Sequence, residues 1–185
     1  TAVARRALSA EATRRLRSFG YLAGVVSMKK AAFTRADDLK TLLPIQNKLR
    51  KANQLFNGKK FREARELYEQ VLAGKPDDVG SYLHLADTLH FLRLPQEAVA
   101  ALRRGRDIVP GSPELQAKLG VFLTEVGRLG EAVDLLQGVL AAGDGSAETW
   151  NYLGVALFRM RRLAQAEEAY GKALALDPRL AMAHA

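Results

Sequence analysis

The chain has 185 residues, of which 48% are hydrophobic and 26% charged. That is the composition of a folded domain and argues against wholesale disorder. No cysteine is present, which excludes a disulfide framework, a thiolate zinc site, an iron–sulfur cluster and a cysteine nucleophile. The net charge of +8 at pH 7, taken alone, suggests nucleic acid, an anionic membrane face or an acidic partner.

The charge is concentrated at the start. Residues 1–62 hold 15 Lys and Arg against Glu11, Asp37 and Asp38, whereas residues 63–185 hold 13 against 17 acids. Halves this different are expected to do different jobs. Ser9 is expected to cap a helix with Glu11 in its first turn, and Gly20 to stop it. Residues 1–44 therefore read as a basic helical extension and linker. The longest apolar run, Phe19–Met28, is about half of what crosses a bilayer. It imitates a signal-peptide core behind Arg14, Arg15 and Arg17, yet no small-x-small cleavage pattern follows and Lys29-Lys30 close it. An Arg-rich, acid-poor presequence is the other targeting reading. A start at Thr1 rather than Met is compatible with a fragment.

From residue 45 a 34-residue period takes over. Ala64, Ala98, Ala132 and Ala166 keep it, as do Leu55, Leu89, Leu123 and Leu157. Small residues recur in phase at Ala52, Ala86, Gly120 and Gly154, and larger apolar ones at Tyr68, Leu102, Leu136 and Tyr170. Units close near Pro76, Pro110 and Pro178, with Asp144 in place of proline in the third. Within each unit the apolar residues recur at helical spacing, which predicts two amphipathic helices joined by turns such as Gly58-Lys59-Lys60 and Gly127-Arg128-Leu129. Small residues on both helices allow close approach, and prolines end each unit. One such hairpin cannot bury both of its apolar faces, so the units must stack. The units are 45–78, 79–112, 113–146 and 147–180, with 181–185 the start of a truncated fifth.

The last unit is the best preserved. Its Trp150, Leu153-Gly154, Leu157, Ala166, Tyr170, Ala173 and Pro178 resemble the tetratricopeptide repeat pattern position by position. The resemblance implies an all-α fold, a right-handed solenoid of antiparallel helical hairpins, four repeats long behind the N-terminal helical extension. It also implies a non-enzymatic scaffold that binds a peptide or a helix in its concave groove. Two ends depart from the pattern. Lys48 and Lys51 stand where the last unit has aromatic and leucine residues, which suits a polar cap. At the other end the second helix, about Ala164–Leu176, has no following repeat on one apolar face, which leaves self-association as an alternative.

Residues 8–24, with Leu8, Ser9, Glu11, Arg15, Leu16, Ser18, Gly20, Tyr21 and Gly24, resemble the segment where bacterial sulfatase-like hydrolases end and a tetratricopeptide tail begins. This implies the tail of a larger exported or periplasmic enzyme, with a regulatory or substrate-positioning role as an alternative. Without that resemblance a cytoplasmic protein is expected. Such enzymes take their catalytic group from a C/S-x-P-x-R run, which this chain lacks.

No catalytic, cofactor or metal site is expected. The phosphate-loop patterns are absent. His84 and His90 lie six residues apart rather than the four that align two ligands on a helix face. Asp37-Asp38 has no acid–base partner nearby. Neither nucleic acid nor a membrane is expected as a partner: the basic segment reads as a solvated face or a contact for an acidic partner domain, and its aromatic residues form no stacking motif for nucleic acid. Carried over by register from the family, the groove is lined by Asn53 and Phe56, then His84, Asp87 and Phe91. Lys118, Val121 and Glu125 follow, and then Asn151, Val155 and Arg159. The family's clamp for an acidic C-terminal tail falls on Leu49, Asn53, His84, Glu114 and Lys118. Only Asn53 and Lys118 fit it, and Glu114 would repel a carboxylate.

Overall fold

The period of 34 becomes eight α-helices among the described residues, 39–143 and 145–183 of the computed structural model. They are α1 (Leu39–Asn57), α2 (Phe61–Gly74), α3 (Val79–Phe91), α4 (Pro95–Ile108), α5 (Pro113–Glu125), α6 (Leu129–Ala141), α7 (Ala147–Arg159) and α8 (Leu163–Leu176), closed by a 3₁₀ helix, Pro178–Ala183. The expected N-terminal helix, with its Ser9 cap and Gly20 stop, lies outside the described residues.

Helix starts follow local chemistry. Asp78 accepts a hydrogen bond from the Ser81 amide at 3.0 Å, and Ser112 and Ser146 do the same for Leu115 and Thr149. These three caps open α3, α5 and α7, the first helices of their repeats. The second helices have no side-chain cap; Lys60, Leu94, Arg128 and Arg162 stand at their N-caps. Helix α1 runs through Pro44, its sixth residue.

Packing follows the small residues. Each first helix packs against its own second helix, and each second helix against the first helix of the next repeat. Successive first helices α3, α5 and α7 also approach one another, whereas successive second helices do not come comparably close. The stack therefore curves with the first helices inside. Ala64, Ala98, Ala132 and Ala166 are all buried, as are Ala52, Ala86, Gly120 and Gly154. A Cβ on Gly120 would lie 2.6 Å from Leu136, and one on Gly154 2.6 Å from Tyr170, so these two pairs touch because glycine is there.

The ends differ as the register predicts. Lys48 and Lys51 are exposed on α1. At the far end Phe158 and Leu174 are exposed, whereas Thr124 and Leu140, one repeat earlier, are buried and half-buried.

Candidate functional site: the inner helix face

Register places one residue of each first helix at every level of the inner face, and the structure shows which of them meet. A depression of about 500 Å³ crosses α3, α5 and α7. Leu83, Ala117 and Tyr152 line it with apolar surface, and His84, Asp87, Lys118, Glu114 and Glu148 with polar groups. Of the residues expected in the groove, His84, Asp87 and Lys118 line this depression. Leu83, Ala117, Glu148 and Tyr152 were not among those expected to line the groove, although they stand one or two repeats from residues named above (Ala117 one and Leu83 two from Asn151; Tyr152 one from Lys118; Glu148 one from Glu114). The same 34-residue step would have found them.

Asn53 belongs elsewhere. It lines a second depression, of about 550 Å³, with Ile45, Leu49, Arg50 and Lys75 between α1 and α2. The Tyr68 hydroxyl donates to its carbonyl oxygen at 2.7 Å. Tyr68 is fully buried, and burial, with the nearby Asp87 charge adding to it, pushes the phenol up to about 12. It is therefore a donor at every physiological pH. The unfolded chain ionises this phenol near pH 10, so this contribution to stability is intact below pH 10 and is lost as pH rises from there to about 12. Urea unfolding from pH 7 to pH 12 should show that loss. In Tyr68→Phe it should be smaller, since the half-buried Tyr170 phenol is also raised by burial, at a cost of about 1 kcal/mol at pH 7 for the missing hydrogen bond.

Phe56 and Phe91 enter an aromatic cluster. Phe61 and Phe91 stack at 4.6 Å, Phe56 meets both edge-on, and His84 lies 5.8 Å from Phe56 while stacking on Tyr68. Phe91 stays 54% exposed despite these neighbours.

The remaining polar groups tie one repeat to the next. Lys118 pairs with Asp87 at 2.6 Å across α5 and α3. His90 lies 3.0 Å from Glu125, and the Arg159 guanidinium donates to the Thr124 carbonyl. Val121, Asn151 and Val155 are half-buried on the same helices, outside the depression. Lys118 is thus already paired, and the Ser112 hydroxyl donates to Glu114 at 2.7 Å, holding that carboxyl below its ordinary range. Glu148 has no cation partner among the described residues. Of the two residues that match the carboxylate clamp, Asn53 accepts from Tyr68 and Lys118 pairs with Asp87, while Glu114 and Glu148 line the depression beside Lys118. No group of three or more His, Asp or Glu among the described residues is placed to hold a metal ion, and no described helix is long and apolar enough to cross a membrane.

Two models described as tetratricopeptide repeat match the sequence, over residues 55–121 and 147–180. No curated protein sequence matches it. Among solved structures, a crystal structure of MamA is similar at 26% identity, over 69% of this chain and 74% of that chain, with a TM-score of 0.61. MamA from Desulfovibrio magneticus RS-1, from residue 41 to its end, is 21% identical over 73% and 76% of the two chains, with a TM-score of 0.65. YrrB, described as a TPR protein with an unusual peptide-binding site, is 23% identical over 69% and 66%, with a TM-score of 0.60. Helix pairing, register and these matches agree: the chain is built on tetratricopeptide repeats.

Proposed function

We propose that the array is a non-enzymatic protein-interaction scaffold that holds an extended peptide along the inner face of its second to fourth repeats. The observation that carries this reading is the continuous depression over α3, α5 and α7, apolar at Leu83, Ala117 and Tyr152 and rimmed by polar groups. Glu114 and Glu148 leave its rim acidic, with Lys118 answered by Asp87. A segment with apolar residues spaced around a basic one fits that surface, and an acidic tail does not. The resemblance of residues 8–24 to the end of sulfatase-like hydrolases supports a finer reading, in which the array is the tail of such an enzyme and positions or regulates it. A C/S-x-P-x-R run in the coding sequence upstream of Thr1 tests that finer reading.

Random peptides displayed on phage and selected on the intact chain test the groove. Selected peptides should be rich in Lys or Arg between apolar residues. The variant His84→Ser/Glu148→Lys/Tyr152→Ser should bind them at least about tenfold more weakly, as expected when an anchor worth about 1.4 kcal/mol is lost. Arg104→Ala, on a second helix against Tyr82, should leave binding unchanged. Peptides held equally well by the triple variant would place the site elsewhere.

A further inference from the structure

The turns inside each hairpin share one edge of the array, and the turns that join repeats share the other. The hairpin turns, residues 58–60, 92–94, 126–128 and 160–162, carry Lys59, Lys60, Arg93, Arg128, Arg161 and Arg162, and no acid. The described residues of the joining turns, 75–78, 109–112, 142–143 and 145–146, carry only Lys75 against Asp77 and Asp78. The array is therefore polarised across its width, basic along one edge and weakly acidic along the other.

Local preference opposes several of these cations. Lys59, Arg93 and Arg161 have φ of 59°, 63° and 63°, where the third repeat places Gly127 at 82°. This left-handed backbone disfavours any side chain, and glycine is the easy residue there. Lys60, Arg128 and Arg162 stand at helix N-caps, where the helix dipole disfavours positive charge. Nor are most of them neutralised. Lys59, Arg93, Arg161 and Arg162 have no ion-pair partner among the described residues, and Lys60 reaches only Glu63, at 4.0 Å. Arg128 alone is closely paired, with Glu131 at 2.5 Å. Large apolar side chains are exposed among them, Phe91 at 54% and Leu163 at 55%.

We propose that this edge docks the array on an anionic lipid bilayer, a surface separate from the peptide groove. The choice among polyanions rests on the apolar residues. Nucleic acid offers phosphates to the cations but nothing to Leu163, whereas a bilayer surface takes cations at the headgroups and Phe or Leu at the acyl boundary. The cations come from four different repeats, so folding assembles a patch that no linear segment displays. Together they hold the edge against the lipid while the inner face stays open to a partner.

Vesicle co-sedimentation of the full chain tests this, with phosphatidylcholine alone and with phosphatidylcholine containing phosphatidylserine. The informative variant is Lys59→Gly/Arg93→Gly/Arg161→Gly, which removes three cations while easing the backbone, so its melting temperature should hold or rise. Wild type should bind the phosphatidylserine vesicles only, less at high salt. The variant should bind about a hundredfold more weakly, at about fivefold for each cation near the surface. Leu163→Ser should weaken binding further without changing its salt dependence. The proposal is overturned if wild type ignores phosphatidylserine. Unchanged binding by the triple variant would overturn it too, because the basic N-terminal segment would then carry the lipid. So would binding to single-stranded RNA as tight as to vesicles and equally weakened in the variant, since the edge would then be a general polyanion surface.

Discussion

Leu123→Ala is expected to destabilise the array by about 3 kcal/mol, within the range for truncating a buried leucine. Leu123 is fully buried on α5, the first helix of the third repeat, in a core cluster that also contains Leu89, Leu119, Leu136 and Leu157. α5 packs on both the second helix before it and the second helix of its own hairpin, so a hole there weakens two interfaces at once. In a stack of repeats stability is a sum of unit and interface contributions, and a weakened centre uncouples the flanks. Urea unfolding followed by circular dichroism should therefore show a lower midpoint and a broader transition. Leu55→Ala, at the same register position but half-buried in the first repeat, should cost about half as much. A loss below about 1 kcal/mol for Leu123→Ala would mean that the central repeats do not depend on this layer.

Gly120→Ala should also destabilise, although alanine is the better helix former. Propensity favours the substitution by about 1 kcal/mol. Against it, the new methyl would stand 2.6 Å from the Cγ of Leu136, the branch point of a fully buried side chain rather than its flexible tip. Overpacking of this kind costs about 1–3 kcal/mol, and the rigid hairpin puts the cost at the upper end, for a net loss of about 2 kcal/mol. The control has the opposite sign. Gly171 lies inside α8 and a Cβ there meets nothing within 4 Å, so Gly171→Ala should stabilise by about 0.5–1 kcal/mol. Thermal melts of the two variants beside wild type separate packing from propensity. If both substitutions stabilised, close helix approach would not be the reason for glycine at 120.

The fold was legible because each repeat writes the same constraints into the same places. Ala64, Ala98, Ala132 and Ala166 are spaced by 34 residues because each must fit under a neighbouring helix, and all four are buried. The site was legible only as a face. Register put Asn53 and Lys118 on the inner helices, but it could not show that Tyr68 holds one and Asp87 the other. Those pairings depend on how far successive helices are displaced, which arises from packing rather than period. The aromatic cluster of Phe56, Phe61 and Phe91 joins two turns 34 residues apart and has no local signal. The basic edge was hidden for a further reason. Counting charge along the chain assigns the excess to residues 1–62, whereas Arg93, Arg128, Arg161 and Arg162 lie within residues 63–185, which hold more acids than bases, and meet only because the hairpins stack.

The central claim is that the inner face of the first helices is the binding surface. Hydrogen exchange of the backbone amides, measured on the intact chain with and without a phage-selected peptide, tests it most directly. The account predicts added protection in α3, α5 and α7, around Leu83–Asp87, Ala117–Val121 and Tyr152–Val155, and none on the outward turns of α4 and α6. Protection confined to the second helices, or to the α7–α8 end around Phe158 and Leu174, would contradict it.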